Sequence, residues 1–376
     1  MAPPGQARPR AAGSVGSPRA TNANGKIGLT LNHEKGATLP VDASCAFVPA
    51  AFRPAAWLPG AHAQTIAGRL LRRPHRMRLA RVRVDTPDGD FLDLDVTAGT
   101  RAGRPLVLLL HGLEGSARRG YALNTCAALA EWGVGAIGLN FRGCSGEPNR
   151  LARSYHSGET GDLAFVLGWL QRNWAPSRIG IIGFSLGGNV LLKWLAEEAD
   201  GAASRVRACV AVSVPCDLAE CAARMEQSRM GRFYMRRFIT SLIAKVEAKA
   251  ARLEGIDLPR VRRARTFREF DDAATAPIHG FADARDYYAR SSSGPLLGAV
   301  RVETLLVHAE DDPFLPASAL PWDRIRSNPC LQPVVTEAGG HVGFIGGTPR
   351  NPHWWLEQQA ALYLAQRLLP GPRSAR

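Results

Sequence analysis

Five uninterrupted apolar runs, separated by longer helical stretches, constrain the fold of this chain more than any other feature. The runs lie at residues 106–110, 134–139, 179–183, 209–212 and 304–307. Such runs are typical of strands that are buried on both faces of a parallel sheet. Helical patterns occupy residues 121–132, 160–173, 187–199 and 353–368. This alternation predicts a doubly wound, mostly parallel α/β sheet with helices on both faces.

The chain of 376 residues is long enough for one such domain with an insertion. Residues 1–44 are predicted to be a disordered basic tail, because residues 1–26 are rich in Pro, Gly, Ala, Ser and Arg and have no periodicity. The core is predicted at residues 45–215 and 301–369, with a second tail at 370–376. Residues 216–300 are Arg-rich and aromatic and contain no convincing buried strand. They are predicted to form an inserted helical cap.

A β-hairpin is predicted ahead of the first parallel strand. Alternating apolar residues at 81–85 and 91–96 flank the turn dipeptide Asp88-Gly89. An Asp-Gly pair between two alternating runs is a strong hairpin signal, and the alternation gives the hairpin one polar face.

The charge and the cysteines set expectations about partners and compartment. The chain has 47 Lys and Arg against 33 Asp and Glu, a formal net charge of +14, which favours anionic partners without specifying one. Its seven cysteines are odd in number and have no CxxC spacing, which favours free thiols in a reducing cytoplasm. No run approaches the roughly 20 apolar residues of a transmembrane helix, and no secretory signal is recognisable.

The motif GFSLG at residues 183–187 is the strongest chemical signal in the sequence. It follows an apolar strand directly and opens a helix, as a nucleophile elbow does. Such a turn places the serine, here Ser185, at a strained backbone position, and it aims the helix N-terminus at the reaction centre. The alternative is a Gly-rich strand–helix turn that binds nothing.

A serine nucleophile needs a base, and the base needs a third group to hold it. After a nucleophile elbow the chain order is serine, acid, histidine. His341 lies in GGHVGF, a loop after a short strand and before the last helix, and is the predicted base. Of the other candidates, His308 lies in an apolar strand and is predicted to be core, His279 falls in the cap, and His353 is expected to begin the last helix.

The acid is expected just after the strand at residues 304–309. Asp312 is the predicted acid, because Pro313 would fix the turn that aims its side chain. Asp311 is the alternative for this role. A third possibility is that the two carboxylates only cap the short helical turn that follows.

Acyl transfer also requires hydrogen-bond donors for the oxyanion that develops on the substrate. One predicted donor is the backbone amide of Leu186, next to the nucleophile. The second is the amide of Leu113, in the loop HGLEGS that follows the strand at residues 106–110. His111 in that loop is expected to be structural.

Several stretches together resemble the AB hydrolase 4 family of the α/β-hydrolase fold. They include AQTI at 63–66, HGLEG at 111–115, NFRGCSGEPNR at 140–150, HSGET at 156–160, GFSLGGNV at 183–190, DDPF at 311–314 and GHVGF at 340–344. The resemblance runs from about Phe52 to Leu364. Arg118 and Arg119 depart from it, because they stand where small polar residues are expected.

The resemblance implies an α/β-hydrolase fold with an inserted helical cap, and it implies esterase activity with lipid-active relatives. The catalytic triad of the family corresponds to Ser185, Asp312 and His341 in this sequence. The resemblance implies that the reaction requires no metal or organic cofactor. The expected substrates are short- to medium-chain esters or acylglycerols, with no nucleic-acid partner and with a peripheral membrane contact left open. Cys144 is expected to be a packing residue.

Two other functions remain open from the sequence. An acyltransferase could use the same triad with an alcohol in place of water; a closed, dry cap would favour it, and an open cap would favour hydrolysis. A non-catalytic ligand-binding protein could also be built on a hydrolase fold. The complete nucleophile, acid and base argue against the second.

Overall fold

The computed structural model describes residues 46–72, 77–315 and 317–370. The tail predicted at residues 1–44 lies outside this part of the chain, as does all but the first residue of the tail predicted at 370–376.

An eight-stranded sheet forms the centre of the fold, with the strand order β1-β2-β4-β3-β5-β6-β7-β8. The strands are β1 (Leu79–Asp85), β2 (Phe91–Thr97), β3 (Leu106–Leu110), β4 (Gly135–Asn140), β5 (Ile179–Phe184), β6 (Ala208–Val212), β7 (Thr304–Ala309) and β8 (Leu331–Thr336). From β4 to β8 every neighbouring pair is parallel, whereas β1–β2 and β2–β4 are antiparallel. The prediction of a mostly parallel α/β-hydrolase sheet is confirmed.

The predicted hairpin forms, with Asp85 opposite Phe91 across the turn. Every residue of β2 is buried, so the carboxylates of Asp93 and Asp95 lie inside, whereas Arg81 and Arg83 of β1 are exposed. Asp93 pairs with Arg83 at 2.8 Å, and Asp95 pairs with Arg81 at 2.9 Å. These ion pairs let a strand with alternating carboxylates lie inside the molecule, where an unpaired charge would be costly.

Helices cover both faces of the sheet and bury two apolar layers. On one face lie α3 and α4, and on the other lie α2 and α13. The helices of this framework are α1 (Gly60–Leu70), α2 (Gly120–Glu131), α3 (Gly161–Asn173), α4 (Leu186–Glu198), α5 (Asp200–Arg205), α12 (Trp322–Ser327) and α13 (Trp355–Leu368). Strands β3, β5 and β6 are buried along their whole length, as their uninterrupted apolar runs predict.

The segment between β6 and β7 is helical. It contains α6 (Leu218–Gln227), α7 (Arg229–Ala248), α8 (Leu258–Arg263), α9 (Phe267–Phe270), a π-helical turn (Asp271–Thr275), α10 (Ala276–His279) and α11 (Ala284–Ser291). Its side chains form apolar clusters of their own, one of which includes Phe314 of the core. The boundaries of a separate cap at residues 216 and 300 stay a prediction. No helix among the described residues is long and apolar enough to cross a membrane.

One expectation about the end of the chain is wrong. His353 does not begin the last helix but lies in β10 (Pro352–Trp354), which pairs with β9 (Ile345–Gly347) in a small separate sheet. Helix α13 starts two residues later, at Trp355. Strands of three residues are too short to show periodicity, so the sequence did not indicate them.

Candidate active site

Ser185 lies at a strained turn between β5 and α4. Its backbone has φ 51° and ψ −118°, a conformation that L residues rarely adopt, and its amide donates to the carbonyl of Val212 at 2.8 Å. The turn is tight, because a Cβ added to Gly183 would come within 2.4 Å of the Gly187 carbonyl oxygen. The glycines at both ends of the motif therefore let the chain fold closely around the serine.

The structure brings Ser185, His341 and Asp312 together. The Oγ of Ser185 is 2.9 Å from Nε2 of His341, and Nδ1 of His341 is 2.8 Å from Oδ2 of Asp312. The carboxylate is held in turn, because its Oδ1 accepts the amides of Phe314 and Leu315. Three side chains from three separate loops thus form one continuous hydrogen-bond chain.

Asp311 lies beside this chain without joining it. Its Oδ1 accepts the amide of Gly340 at 2.8 Å, so it supports the backbone next to His341. Two other histidines that follow Ser185 lie elsewhere: His308 is buried with Nε2 2.8 Å from the Leu315 carbonyl, and the His279 ring packs against the His156 ring with 4.5 Å between ring centroids.

The predicted oxyanion donors, Leu113 and Leu186, line the same cavity as Ser185. Within the described residues, neither backbone amide donates to a protein acceptor. The neighbouring amides in the loop are occupied, because Gly112 donates to the Tyr121 hydroxyl at 3.0 Å and Glu114 donates to the Tyr155 hydroxyl at 2.9 Å. The two leucine amides are thus left available for a substrate oxygen.

His111 has the structural role that the sequence suggested. It is fully buried, with Nδ1 2.8 Å from the Gly112 carbonyl, and its Nε2 accepts the amide of Phe141. Burial lowers its pKa to about 4, so the ring is neutral at physiological pH. It joins the loop at residues 111–116 to the residue that follows β4.

Glu114 connects this loop to helix α7. Its carboxylate accepts the Tyr155 hydroxyl at 2.6 Å and pairs with Lys245 at 2.8 Å, and it also bonds to Ser241. Burial alone would raise the pKa of Glu114, but the charge of Lys245 and these hydrogen bonds lower it. Cys144, whose sulfur lies 3.1 Å from Lys245 Nζ, is buried, and burial raises its thiol pKa. It has the environment of a packing residue rather than of a reactive thiol.

A cavity of about 500 Å³ opens above Ser185. Its wall is mostly apolar and comes from the core and from the helices between β6 and β7. Phe314 packs on the His341 ring with 4.4 Å between the ring centroids. Other lining residues are Leu218, Met225, Tyr234, Phe238, Leu242, Phe267 and Phe270. A cavity of this size and polarity is typical of a small-molecule site.

Several side chains that hold the loops around Ser185 and His341 were not predicted from the sequence. The hydroxyl of Thr65 accepts the amide of His341 at 2.9 Å, and that of Ser213 accepts the amide of Val342. The hydroxyls of Tyr121 and Tyr155 hold the loop at residues 111–116. Two of these four residues carried a signal, because Thr65 lies in the AQTI stretch and Tyr155 directly precedes the HSGET stretch.

A serine on a strained strand–helix turn, at the carboxyl end of a strand in a mostly parallel sheet, is the arrangement of the α/β hydrolases. A family model for the alpha/beta hydrolase fold matches residues 105–348 of the chain. The Escherichia coli (strain K12) protein YheT, which is named as an esterase, is 40% identical over 324 residues, covering 85% of this chain and 94% of YheT. The chain belongs to the α/β-hydrolase fold family and, within it, to the AB hydrolase 4 family; it is a hydrolase of the esterase and lipase type.

Two eukaryotic relatives are more distant. A monoacylglycerol lipase of Saccharomyces cerevisiae is 30% identical over 269 residues, which cover 69% of this chain but only 59% of that protein. Phospholipase ABHD3 of Mus musculus is 28% identical over 314 residues, 81% of this chain and 75% of that protein. The match to the crystal structure of 2,6-dihydroxy-pseudo-oxynicotine hydrolase covers 84% of this chain and 74% of that protein, with a TM-score of 0.50 and 17% identity. This likeness shows a shared fold alone.

Proposed function

We propose that this protein is a serine carboxylic-ester hydrolase that works through an acyl-enzyme. The observation that carries the proposal is the continuous hydrogen-bond chain Ser185–His341–Asp312, with distances of 2.9 and 2.8 Å, at the floor of an apolar cavity. Nucleophile and base within hydrogen-bond reach, with the base oriented by a third group, are the signature of an activated serine.

In the first half of the reaction, Oγ of Ser185 attacks the ester carbonyl carbon while Nε2 of His341 accepts its proton. Asp312 holds the ring through Nδ1 and stabilises the imidazolium that forms. The amides of Leu113 and Leu186 donate to the carbonyl oxygen as it becomes an oxyanion. The tetrahedral intermediate then collapses, the ester C–O bond breaks, and His341 returns the proton to the leaving alcohol.

In the second half, water replaces the alcohol. His341 takes a proton from the water as it attacks the acyl carbon, and a second tetrahedral intermediate releases the carboxylic acid and restores Ser185. The same oxyanion donors serve both halves. No other reactant is needed for the cycle to close.

The substrate class proposed is an ester of a short- to medium-chain acid, or an acylglycerol. The apolar wall above Ser185 suits an acyl chain, since it offers few partners for polar groups. Two relatives support a lipid ester, because one is named a monoacylglycerol lipase and another a phospholipase.

Hydrolysis is favoured over transfer to an alcohol by the entrance of the cavity. Leu70 and Phe233, which line it, are 71% and 51% exposed. Water therefore reaches the cavity, whereas an acyltransferase needs a site that is closed to water.

A cytoplasmic location also stays a prediction. It rests on cysteines that are free thiols in the described part of the chain: Cys126, Cys144, Cys209, Cys216, Cys221 and Cys330. Unpaired thiols persist in a reducing compartment.

The test is steady-state hydrolysis of p-nitrophenyl esters from acetate to palmitate, repeated with glycerol as an alternative acceptor. We expect the highest kcat/KM at short to medium chain length and release of free acid even when glycerol is present. Acyl-glycerol as the main product would identify an acyltransferase. Equal turnover by wild type and Ser185→Ala for every ester would contradict the proposal.

A further inference from the structure

Exposed apolar side chains gather around the entrance of the cavity. Ile66, Leu70 and Phe233 line the cavity, and they are 36%, 71% and 51% exposed. Single exposed apolar residues are ordinary on protein surfaces. Three of them around one opening, contributed by α1 and α7, form a patch of the kind that marks an interaction site.

Three arginines lie at the same entrance. Arg69, Arg119 and Arg237 line the cavity and are exposed. In residues 46–72, 77–315 and 317–370 none of them has a carboxylate within 4 Å, and the guanidinium of Arg119 donates instead to the Glu114 backbone carbonyl. Burial lowers the pKa of Arg69, and so do the charges of Arg119 and Arg237, so each of these two cations lies close enough to repel Arg69.

The outward face of α7 continues this pattern. Its buried side packs Tyr234, Met235 and Ile239 into the molecule. Its exposed residues around Phe233 are Arg229, Arg232, Arg236 and Arg237. A helix that presents arginines together with an aromatic residue is typical of helices that lie in the interface of a membrane.

We propose that this entrance surface, formed by Ile66, Arg69, Leu70, Arg119, Phe233 and Arg237, docks on an anionic lipid bilayer. The unpaired arginines contact lipid phosphates, and the exposed apolar side chains enter the boundary between headgroups and acyl chains. This docking has a consequence that rests on the proposed function: a lipid ester enters the cavity directly from the bilayer.

Nucleic acid is the other polyanion that three unpaired arginines could bind. It would contact the arginines but would leave Leu70 and Phe233 without a role, because a phosphate backbone offers little to apolar side chains. The combination of charge and exposed apolar area therefore favours the bilayer.

The test measures vesicle binding in the Ser185→Ala background, so that binding is separated from hydrolysis. Flotation compares vesicles of phosphatidylcholine alone with vesicles that also contain phosphatidylglycerol, at low and high salt. One variant carries Arg69→Gln, Arg119→Gln and Arg237→Gln, and a companion replaces the same arginines with lysine. The apolar variant carries Leu70→Ser and Phe233→Ser.

Matched controls lie at the opposite edge of the sheet. Arg101 and Arg104 precede β3, and Arg172 lies at the end of α3; all three are exposed. Replacing all three with glutamine removes three positive charges, as the test variant does, but at the end of the sheet away from the cavity. Trp132→Ser, at a residue that is 37% exposed after α2, is the control for the apolar change.

We expect binding to the anionic vesicles that weakens with salt. The glutamine triple variant should bind on the order of 10- to 100-fold more weakly, and the apolar variant about tenfold more weakly. The lysine variant and both control variants should bind the anionic vesicles about as tightly as the parent protein does.

The inference is overturned if the parent does not bind anionic vesicles, if the control arginine variant loses as much binding, or if the apolar variant binds as the parent does. Binding of duplex DNA that depends on Arg69, Arg119 and Arg237 but not on Leu70 and Phe233 would point to nucleic acid instead. Ester hydrolysis by the protein that retains Ser185 is scored separately, so failure of docking and failure of the esterase proposal are distinguishable.

Discussion

Two adjacent carboxylates near His341 have different tasks at the residue scale. The Asp312 side chain is fully buried and hydrogen-bonded to the His341 ring, whereas Asp311 is bonded to the backbone of Gly340. The ring contact can set the tautomer of the base, and the backbone contact can only hold the loop. This difference is the physical reason to assign the role of the acid to Asp312.

Asp312→Asn should lower kcat on the order of 10⁴-fold, because an amide in place of the carboxylate favours the wrong tautomer of the base and leaves the imidazolium without its counter-charge. Asp311→Asn should cost about tenfold, since it weakens one hydrogen bond to the loop. The measurement is kcat for a soluble p-nitrophenyl ester, with thermal midpoints to confirm folding. A larger loss in Asp311→Asn would reverse the assignment.

Asp271 is a buried carboxyl in the wall of the cavity. Thr275 and Tyr288 donate hydrogen bonds to it at 2.6 and 2.8 Å. Burial, with a smaller contribution from the charge of Asp272, raises its pKa to about 7 against the effect of the two hydrogen bonds. In the unfolded chain an aspartate loses its proton near pH 3.9.

The folded protein therefore keeps a proton on Asp271 that the unfolded chain has lost, so stability falls as the pH rises from about 4 to about 7. Asp271→Asn should remove this part of the pH dependence, which amounts to roughly 2 to 4 kcal/mol. Urea unfolding at pH 5 and pH 8 tests it. Between pH 5 and pH 8 the free energy of unfolding should fall more for the wild type than for the variant. An equal fall in both proteins would show that Asp271 ionises normally.

At the scale of elements, the turn between β5 and α4 depends on glycine. A Cβ on Gly187 would lie 2.6 Å from the carbonyl oxygens of both Leu110 and His111, which are backbone atoms that cannot move independently. Helix α4 is thus pressed against the end of β3. This contact brings Ser185 next to the oxyanion loop.

Gly187→Ala should destabilise the protein by about 2 kcal/mol or more, because overpacking against backbone forces the helix away from the strand. Gly298→Ala is the matched control, since a Cβ there meets nothing within 4 Å. Denaturant unfolding of the two variants gives the comparison. Equal stability would mean that the turn is looser than the structure indicates.

The elements that the sequence could predict are those with strong local signals. The uninterrupted runs predicted β3, β4, β5, β6 and β7, and the Asp-Gly turn predicted the hairpin, because burial and turn chemistry act over a few residues. The three-residue strands β9 and β10 carry no such signal, and His353 was misplaced for that reason.

Contacts between distant parts of the chain could not be predicted. Thr65 holds the His341 amide from 276 residues away, and Arg72 pairs with Glu357 at 2.6 Å across 285 residues. No periodicity links such pairs, since each residue is locally unremarkable. The sequence could name the candidates for the triad, but not the side chains that hold them in place.

At the scale of the whole molecule, the helices between β6 and β7 are tied to the catalytic loops. Glu114 joins the loop at residues 111–116 to Lys245 of α7. Phe314, whose amide donates to Asp312, packs against Tyr234 of the same helix with 4.8 Å between ring centroids. The same helix carries Phe233 and Arg237 at the entrance of the cavity. Helix α7 thus connects the entrance of the cavity, the loop that contains Glu114 and the turn that contains Asp312.

The central claim is that Ser185 is an activated nucleophile, and covalent labelling tests it most directly. The folded protein is treated with a fluorophosphonate probe alongside Ser185→Ala and the control Ser177→Ala, which changes an exposed serine. Intact mass and peptide mapping locate the adduct. We predict one adduct, on Ser185, in the wild type and in Ser177→Ala, and none in Ser185→Ala; an unlabelled folded wild type, or equal labelling of Ser185→Ala, would contradict the account.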